Sequence, residues 1–370
     1  MLFDDAGLVH LPGWGKKKVY SAINCHSLYD HVPLFVDNGN LMLLNDDYTA
    51  SIVLADVGES PMFYTTVGNL TYFCNQIITG IFDAIRNSVM PWGIDRPPRQ
   101  PDLTLSTFGG LYAGEYRVAI TWQADSESGT GQSRKITVPE GGGINLANFP
   151  APPALVTRVN VYVSSVNGKD LYFYGNYPAT TNYVTIGRLT PQNVLPSLPL
   201  TTQFCTKPQP QGMISAFNGR IYWALDNYLY YTTTRNYNLR KANERFVFEG
   251  KVLAIHSVPP FLFVQTDEAV YSITSIDAEG AAPQLNRIKN YGGAAGLSCH
   301  GTDYASAYGY SDNGMIQCIN DGTVKELTFN DNALQLFDTG ALNIFEMYGS
   351  KFLVFTGTNG RANPLANSGN

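Results

Sequence analysis

Residues 217–231 read Phe-Asn-Gly-Arg-Ile-Tyr-Trp-Ala-Leu-Asp-Asn-Tyr-Leu-Tyr-Tyr, which is the pattern of a strand, a turn and a second strand. Ile221 and Trp223 alternate with Tyr222, the period-two pattern of a half-buried strand. Asp226-Asn227 supplies turn chemistry, because both side chains tolerate tight or left-handed backbone. Leu229 and Tyr231 then alternate again. A lone hairpin is marginal in water, so this one constrains the fold through its copies. Val258–Ile273 has the same shape, with Thr266-Asp267-Glu268 as its turn. Ala305–Ile319 repeats it around Asp312-Asn313-Gly314, and Gly349–Phe355 reads as a further first strand. Upstream, Val32–Leu44 carries the figure around Asp37-Asn38-Gly39, and Val67–Phe73 is a weaker example. The copies recur every 40–45 residues or so, the period of a four-stranded propeller blade.

The composition agrees with an all-β chain. Only 15% of residues are charged and 12% are aromatic, while 35 Gly and 21 Pro supply turns. Leu70–Val89 is the strongest helix candidate, and it is weakened by β-branched residues, Gly80 and the flanking Pro91. The predicted fold is therefore a β-propeller, with an ordinary antiparallel sandwich or open sheet as the plainer alternative.

Pro91, Pro97, Pro98 and Pro101 mark a linker, and the pattern changes beyond it. Gly114–Trp122 alternates strongly, Asp125–Ser133 is a Ser/Gly loop, and Arg158–Ser164 alternates again before the hairpin signal Asn167-Gly168. Leu171–Tyr174 and Tyr183–Ile186 complete a set of short strands that suits a small β-sandwich. Five prolines between Pro191 and Pro210 lead back to the repeats. The expected organisation is a first part of the propeller over residues 1–98, an inserted sandwich over 99–207, a second part of the propeller over 208–356 and a flexible tail over 357–370. Strands near Val19-Tyr20 would close the ring of blades, because closure hides strand edges.

Signals for chemistry are sparse. The five cysteines, Cys25, Cys74, Cys205, Cys299 and Cys318, lack metal-ligand spacing and read as buried free thiols. Of the five histidines, His26 and His300 adjoin cysteines, but neighbours on a strand point to opposite faces. His26, Asp30 and His31 form a loose cluster with metal-binding potential, though a loop lining is the simpler reading. No phosphate loop, nucleophile elbow or His-Glu-x-x-His motif occurs. Asp226, Asp267 and Asp312 each sit at the turn of a repeated hairpin, so they would converge on one rim as glycosidase carboxylates do. Turn propensity alone explains them equally well. Trp223, Tyr228 and Tyr230 offer platforms for sugars, or simply core packing. We expect no enzyme activity, no cofactor and no metal. Net charge is −6, which argues against a surface built to grip phosphates. Lys16-Lys17-Lys18 reads as a solvated strand end. No apolar run approaches membrane-spanning length and no secretory signal opens the chain.

The stretch from Phe217 to Thr232, with its Asn-Gly-Arg-Ile-Tyr and Leu-Tyr-Tyr-Thr segments, resembles the blades of tail hub, nozzle and DNA-stabilisation proteins of short-tailed bacteriophages. Gly114–Trp122 and the Arg158-Val-Asn-Val-Tyr-Val-Ser164 run with Asn167-Gly168 resemble the fibronectin-type segment that often accompanies those blades. The likeness covers about two-thirds of the chain, and Asn370 arrives early for a full terminal blade. The resemblance implies a structural virion protein, made in the host cytoplasm and located in the virion tail. It implies a ring of identical subunits, commonly a hexamer, that continues the DNA-ejection channel below the portal and adaptor. Tail fibre or tail tip proteins would dock on it. Genome DNA would pass through without specific binding, since neutral or acidic walls do not hold phosphates. A carbohydrate- or receptor-binding propeller and a propeller hydrolase are the alternatives.

Overall fold

A computed structural model of the chain describes residues 2–4, 7–9, 32–189, 199–274, 284–300, 305–311, 314–327, 339–347 and 350–358. The lead-in with Lys16–Lys18 and Val19-Tyr20, the Cys25–His31 cluster, Asp312-Asn313 and residues 359–370 of the expected tail lie outside the described residues. The chain is all-β, built from many small antiparallel sheets. It divides into two compact units, Met1–Met90 and Pro91–Asn370.

In the first unit β1 (Leu2–Asp4) pairs with β2 (Gly7–Val9). β3 (Leu34–Asp37), β4 (Asn40–Leu44) and β5 (Ala50–Leu54) form a three-stranded sheet. Next come β6 (Phe63–Val67), β7 (Leu70–Cys74), β8 (Thr79–Asp83) and β9 (Ser88–Met90), paired in chain order. Asn38 and Gly39 both have positive φ (49° and 73°), the backbone of a tight two-residue hairpin turn. Leu34, Val36 and Leu41 of one sheet share a core with Phe73 and Phe82 of the other. The segment Leu70–Val89 is thus strand, not helix. Its β-branched and aromatic residues pair across the ladder, and the Phe73 ring lies over Gly80, its cross-strand partner, where a Cβ would fall 2.4 Å from the ring.

The second unit opens with two facing sheets. β10 (Asp102–Leu111), β11 (Gly114–Gln123), β12 (Arg134–Val138), β13 (Gly142–Ala147), β14 (Arg158–Ser164), β15 (Leu171–Pro178) and β16 (Tyr183–Ile186) pair as β10-β13-β16 and β12-β11-β14-β15. Inward residues of both sheets, among them Val118, Ile120, Trp122, Ile144, Leu146 and Val161, form one closed core. On the outer face the loop after β11 folds back, and the Glu127 carboxylate accepts bonds from Thr121, Asn160 (2.9 Å) and Tyr162 (2.6 Å). Burial, then the Glu127 charge, push the Tyr162 phenol far above its usual range.

A two-stranded ladder and three larger sheets follow. β17 (Cys205–Thr206) pairs with the later β21. β18 (Ile214–Phe217), β19 (Arg220–Leu225) and β20 (Tyr228–Tyr231) continue past β21 (Arg240–Lys241) to β22 (Arg245–Val247), giving the order β18-β19-β20-β22. β23 (Val252–Val258), β24 (Phe261–Thr266), β25 (Val270–Thr274) and β26 (Gln284–Lys289) form the second sheet. β27 (Gly293–His300), β28 (Ser306–Ser311), β29 (Gly314–Ile319) and β30 (Val324–Leu327) form the third. A hairpin of β31 (Thr339–Met347) and β32 (Ser350–Thr358) joins β27 through a parallel bridge. Residues 350–355 therefore belong to the second strand of a hairpin and not to a first strand.

The three sheets stack in series. Tyr222, Ala224 and Leu229 of the first meet Ile255, Leu262, Val264 and Ile273 of the second. Phe263 and Val270, pointing the other way from the second sheet, meet Ala307, Ile316 and Cys318 of the third. Strand β23 is flanked by β18 and β19 on one side and by β27 and β28 on the other. The middle sheet is thus buried on both faces, and β19 likewise buries Ile221, Tyr222 and Trp223 together, where alternation alone predicts one buried face.

The described parts of the Pro-rich segments flanking the two-sheet module, residues 91–101 and 199–210, are packed rather than loose. Trp92 is buried and its Nε1 donates to the Tyr237 carbonyl (2.8 Å), while Lys207 pairs with Asp95 (2.7 Å). Buried Gln100 accepts from the Ile120 amide and donates to Thr130 Oγ1. Thr130 in turn bonds Thr202 and Phe204 through its backbone. Proline restricts these segments, and their other residues provide the contacts.

Candidate binding face

Tyr228 and Tyr230 are two apart on β20, so they share one face of the first sheet. Trp223 stands opposite Tyr230 on β19, and Arg245 stands opposite it on β22. The pairing brings the Trp223 and Tyr230 rings into a stack 5.7 Å apart at 23°, with Tyr228 5.9 Å beyond Tyr230. Two guanidinium groups lie on these rings, Arg245 over Tyr228 (5.0 Å) and Arg240 over Tyr230 (5.1 Å). Each such contact is worth about 0.5–1 kcal/mol at an exposed site. On the opposite face Arg220 lies over Tyr231 at 4.9 Å.

The short β17–β21 ladder holds Arg240, through the pair Thr206↔Arg240. Burial pulls the Arg240 guanidinium below its usual pKa, Tyr230 opposes that pull, and the Arg245 charge adds to it. Arg235, Lys241 and Arg245 are exposed, and of these Glu244 pairs with Lys241 (3.2 Å), while it also reaches Arg220 (3.9 Å). The face is therefore a locally basic, aromatic patch in a chain of net charge −6.

The three aromatics read from the sequence thus do come together. Trp223, however, is 2% exposed, and the tyrosine rings carry guanidiniums, so no open ring row is left for a sugar. Sequence reasoning missed the two arginines, because β21 intervenes between the paired strands β20 and β22. The only local signal is the density of basic residues from Arg235 to Arg245.

Asp226 and Asp267 are exposed at their turns. Both turns rest on the same link between sheets: the Val252 amide donates to the Asp226 carbonyl (2.9 Å) and the Asp267 amide to the Lys251 carbonyl (3.0 Å). These bonds account for the turns through backbone alone. His256 is wholly buried, its Nε2 2.7 Å from Gln265 Oε1. Gln265 Nε2 donates to the Tyr310 carbonyl, so its Oε1 is the acceptor and His256 carries its proton on Nε2. That chain ties the second sheet to the third. Cys74, Cys205 and Cys318 are buried, and burial pushes all three thiols above the usual range. Among the described residues no three His, Cys, Asp or Glu side chains gather as a metal site, and no helix is long and apolar enough to cross a membrane.

No family model matches the chain and no curated protein matches it. Among solved structures it is similar to PorZ, a bacterial surface component of the type-IX secretion system of Porphyromonas gingivalis, at 10% identity and a TM-score of 0.30. That match covers 81% of this chain but 31% of the PorZ chain. The CNH domain of AfRom2 matches at 10% identity and a TM-score of 0.19, over 83% of this chain and 95% of the domain. Hsv2 of Kluyveromyces lactis matches at 11% identity and a TM-score of 0.23, over 92% and 96% of the two chains. Likenesses this loose carry no conclusion about fold or function.

Proposed function

We propose that the chain is a structural virion protein, a β-propeller with an inserted fibronectin-like sandwich, that forms a ring in the tail of a short-tailed bacteriophage. The ring continues the DNA-ejection channel below the portal and adaptor and offers a seat for fibres or a tail tip. The observation that carries this reading is the serial stacking of the three sheets, two of them antiparallel four-stranded sets and the third such a set extended by the β31–β32 hairpin, with β23 flanked by the leading strands of its neighbours. Blades around an axis stack in that way. The two-sheet module between Asp102 and Ile186, with its own core, has the character of an insert. The resemblance of the Phe217–Thr232 repeat and of the Arg158–Ser164 run to tail hub and nozzle proteins supplies the assignment to a phage tail. The protein acts by shape and assembly, without catalysis or cofactor.

Light scattering on the purified chain tests the ring. The expected mass is a fixed multiple of 40.6 kDa, independent of concentration above the assembly midpoint. A single-subunit mass at every concentration would overturn the reading.

A further inference from the structure

Two patches of opposite sign each hold charges that have no ion pair among the described residues. On the second unit, Arg235, Arg240 and Arg245 have no carboxylate within ion-pair distance among the described residues. A guanidinium lying flat on a ring keeps its N–H edge free for an acid. The Arg240 Nε is buried with no acceptor. Beside these groups the same sheet face exposes Leu225 (42%) and Val247 (55%).

On the first unit, Asp37, Asp56 and Glu59 surround the Asn38-Gly39 turn, and none of the three has an ion pair among the described residues. Backbone bonds from Val57 and Gly58 to the Gly39 carbonyl hold the 56–59 segment over that turn. Ile77, 64% exposed, lies against Gly58, so an apolar side chain projects from the middle of the acidic group. Asp37 Oδ1 is buried with no donor. The asymmetry extends to whole units: residues 1–90 hold nine acidic and four basic side chains, residues 91–370 twenty-one and twenty.

We propose that the acidic 56–59 turn of one copy, with Ile77, seats on the Arg240–Arg245 face of the next copy. The partner is a second copy of this chain, and the inference rests on the ring reading above. Two different patches in contact make a heterologous, head-to-tail interface, which closes into a ring when the rotation per step allows. The charges are complementary and each patch carries an apolar centre, the makeup of a protein interface. A nucleic acid suits the face less well, because single strands need open ring faces for their bases and here the rings are covered or buried.

The test uses the full chain, with mass followed by light scattering. Arg240→Glu/Arg245→Glu and Asp56→Arg/Glu59→Arg should each raise the assembly midpoint about tenfold or more, since like charges then meet. Mixing the two variants one to one should restore assembly, because each bears the complement the other needs. Arg245→Glu alone, at an exposed side chain, repeats the test should the first double variant not fold. Unchanged assembly in both double variants overturns this contact and leaves the ring standing, whereas a wild-type monomer overturns both. Loss of binding to a single-stranded oligonucleotide in the arginine variant, with its mass unchanged, reassigns the face to nucleic acid and also overturns the contact.

Discussion

The two-sheet module and the three serial sheets are both antiparallel β-structure, yet they solve the burial problem differently. In the module, two sheets face one another and their inward residues form one closed core, leaving an outer face for polar groups such as Glu127 and Asn160. In the series, a sheet has no core of its own. Leu262 and Val264 point to the preceding sheet while Phe263 points to the following one, so each layer is completed by its neighbours. A closed core can be moved as a unit, whereas a serial core cannot be cut without exposing a face. The joint at Trp92, Gln100 and Thr202 ties the module, which has its own core, to the chain that follows it.

The largest expected effect comes from cutting the chain. Residues 94–206 alone should unfold cooperatively, while residues 208–249, one sheet of the series, should show no thermal transition. Circular dichroism melts of the two fragments decide the matter, and a folded single sheet would erase the distinction. Next in size are core truncations in the whole chain. Leu262→Ala should cost about 2–5 kcal/mol and lower the transition of the serial sheets, while Val161→Ala should lower that of the module. Calorimetry should resolve two responses, and a common shift for both variants would mean a single cooperative core. A smaller effect is expected at the tie between the second and third sheets. Gln265→Leu removes the bonds to His256 Nε2 and to the Tyr310 carbonyl and should cost about 1–3 kcal/mol in urea unfolding. The module's own stability should not change.

The smallest effect is a pH dependence. Burial pushes the Tyr222 phenol up to about 12, against an ordinary value of 10.0. The folded chain therefore holds that proton more tightly than the unfolded one. Its contribution is fully present below pH 10 and is lost as pH rises from 10 toward 12. Tyrosinate absorbance should show that loss, and Tyr222→Phe should flatten that part of the stability profile.

The hairpins were legible because their turns carry local chemistry. Asn38-Gly39, Asn167 and Asp226 adopt the left-handed backbone that such turn residues favour, and the flanking alternation follows from strand geometry, whereas the turn at Asn218-Gly219 was read as the start of a strand. The all-β class followed from the same signals. Burial on both faces at Ile221–Trp223 was not legible, because it depends on which sheets stack and not on spacing along one strand. The packing of the Pro-rich joints was hidden for a similar reason: Gln100 reaches Ile120 and Thr130, twenty and thirty residues away. The basic face shows the limit most plainly. Its three rings lie within eight residues of sequence, but their guanidinium partners arrive only after a detour through β21.

Electron-microscope imaging of the assembled chain decides whether the repeated sheets are sectors of one wheel carrying a guest module. Closed rings are expected, whose subunits each show a disc of blades about an axis with a separate two-sheet lobe. Single particles without a ring, or subunits whose repeated sheets lie side by side in a flat array, would contradict that arrangement.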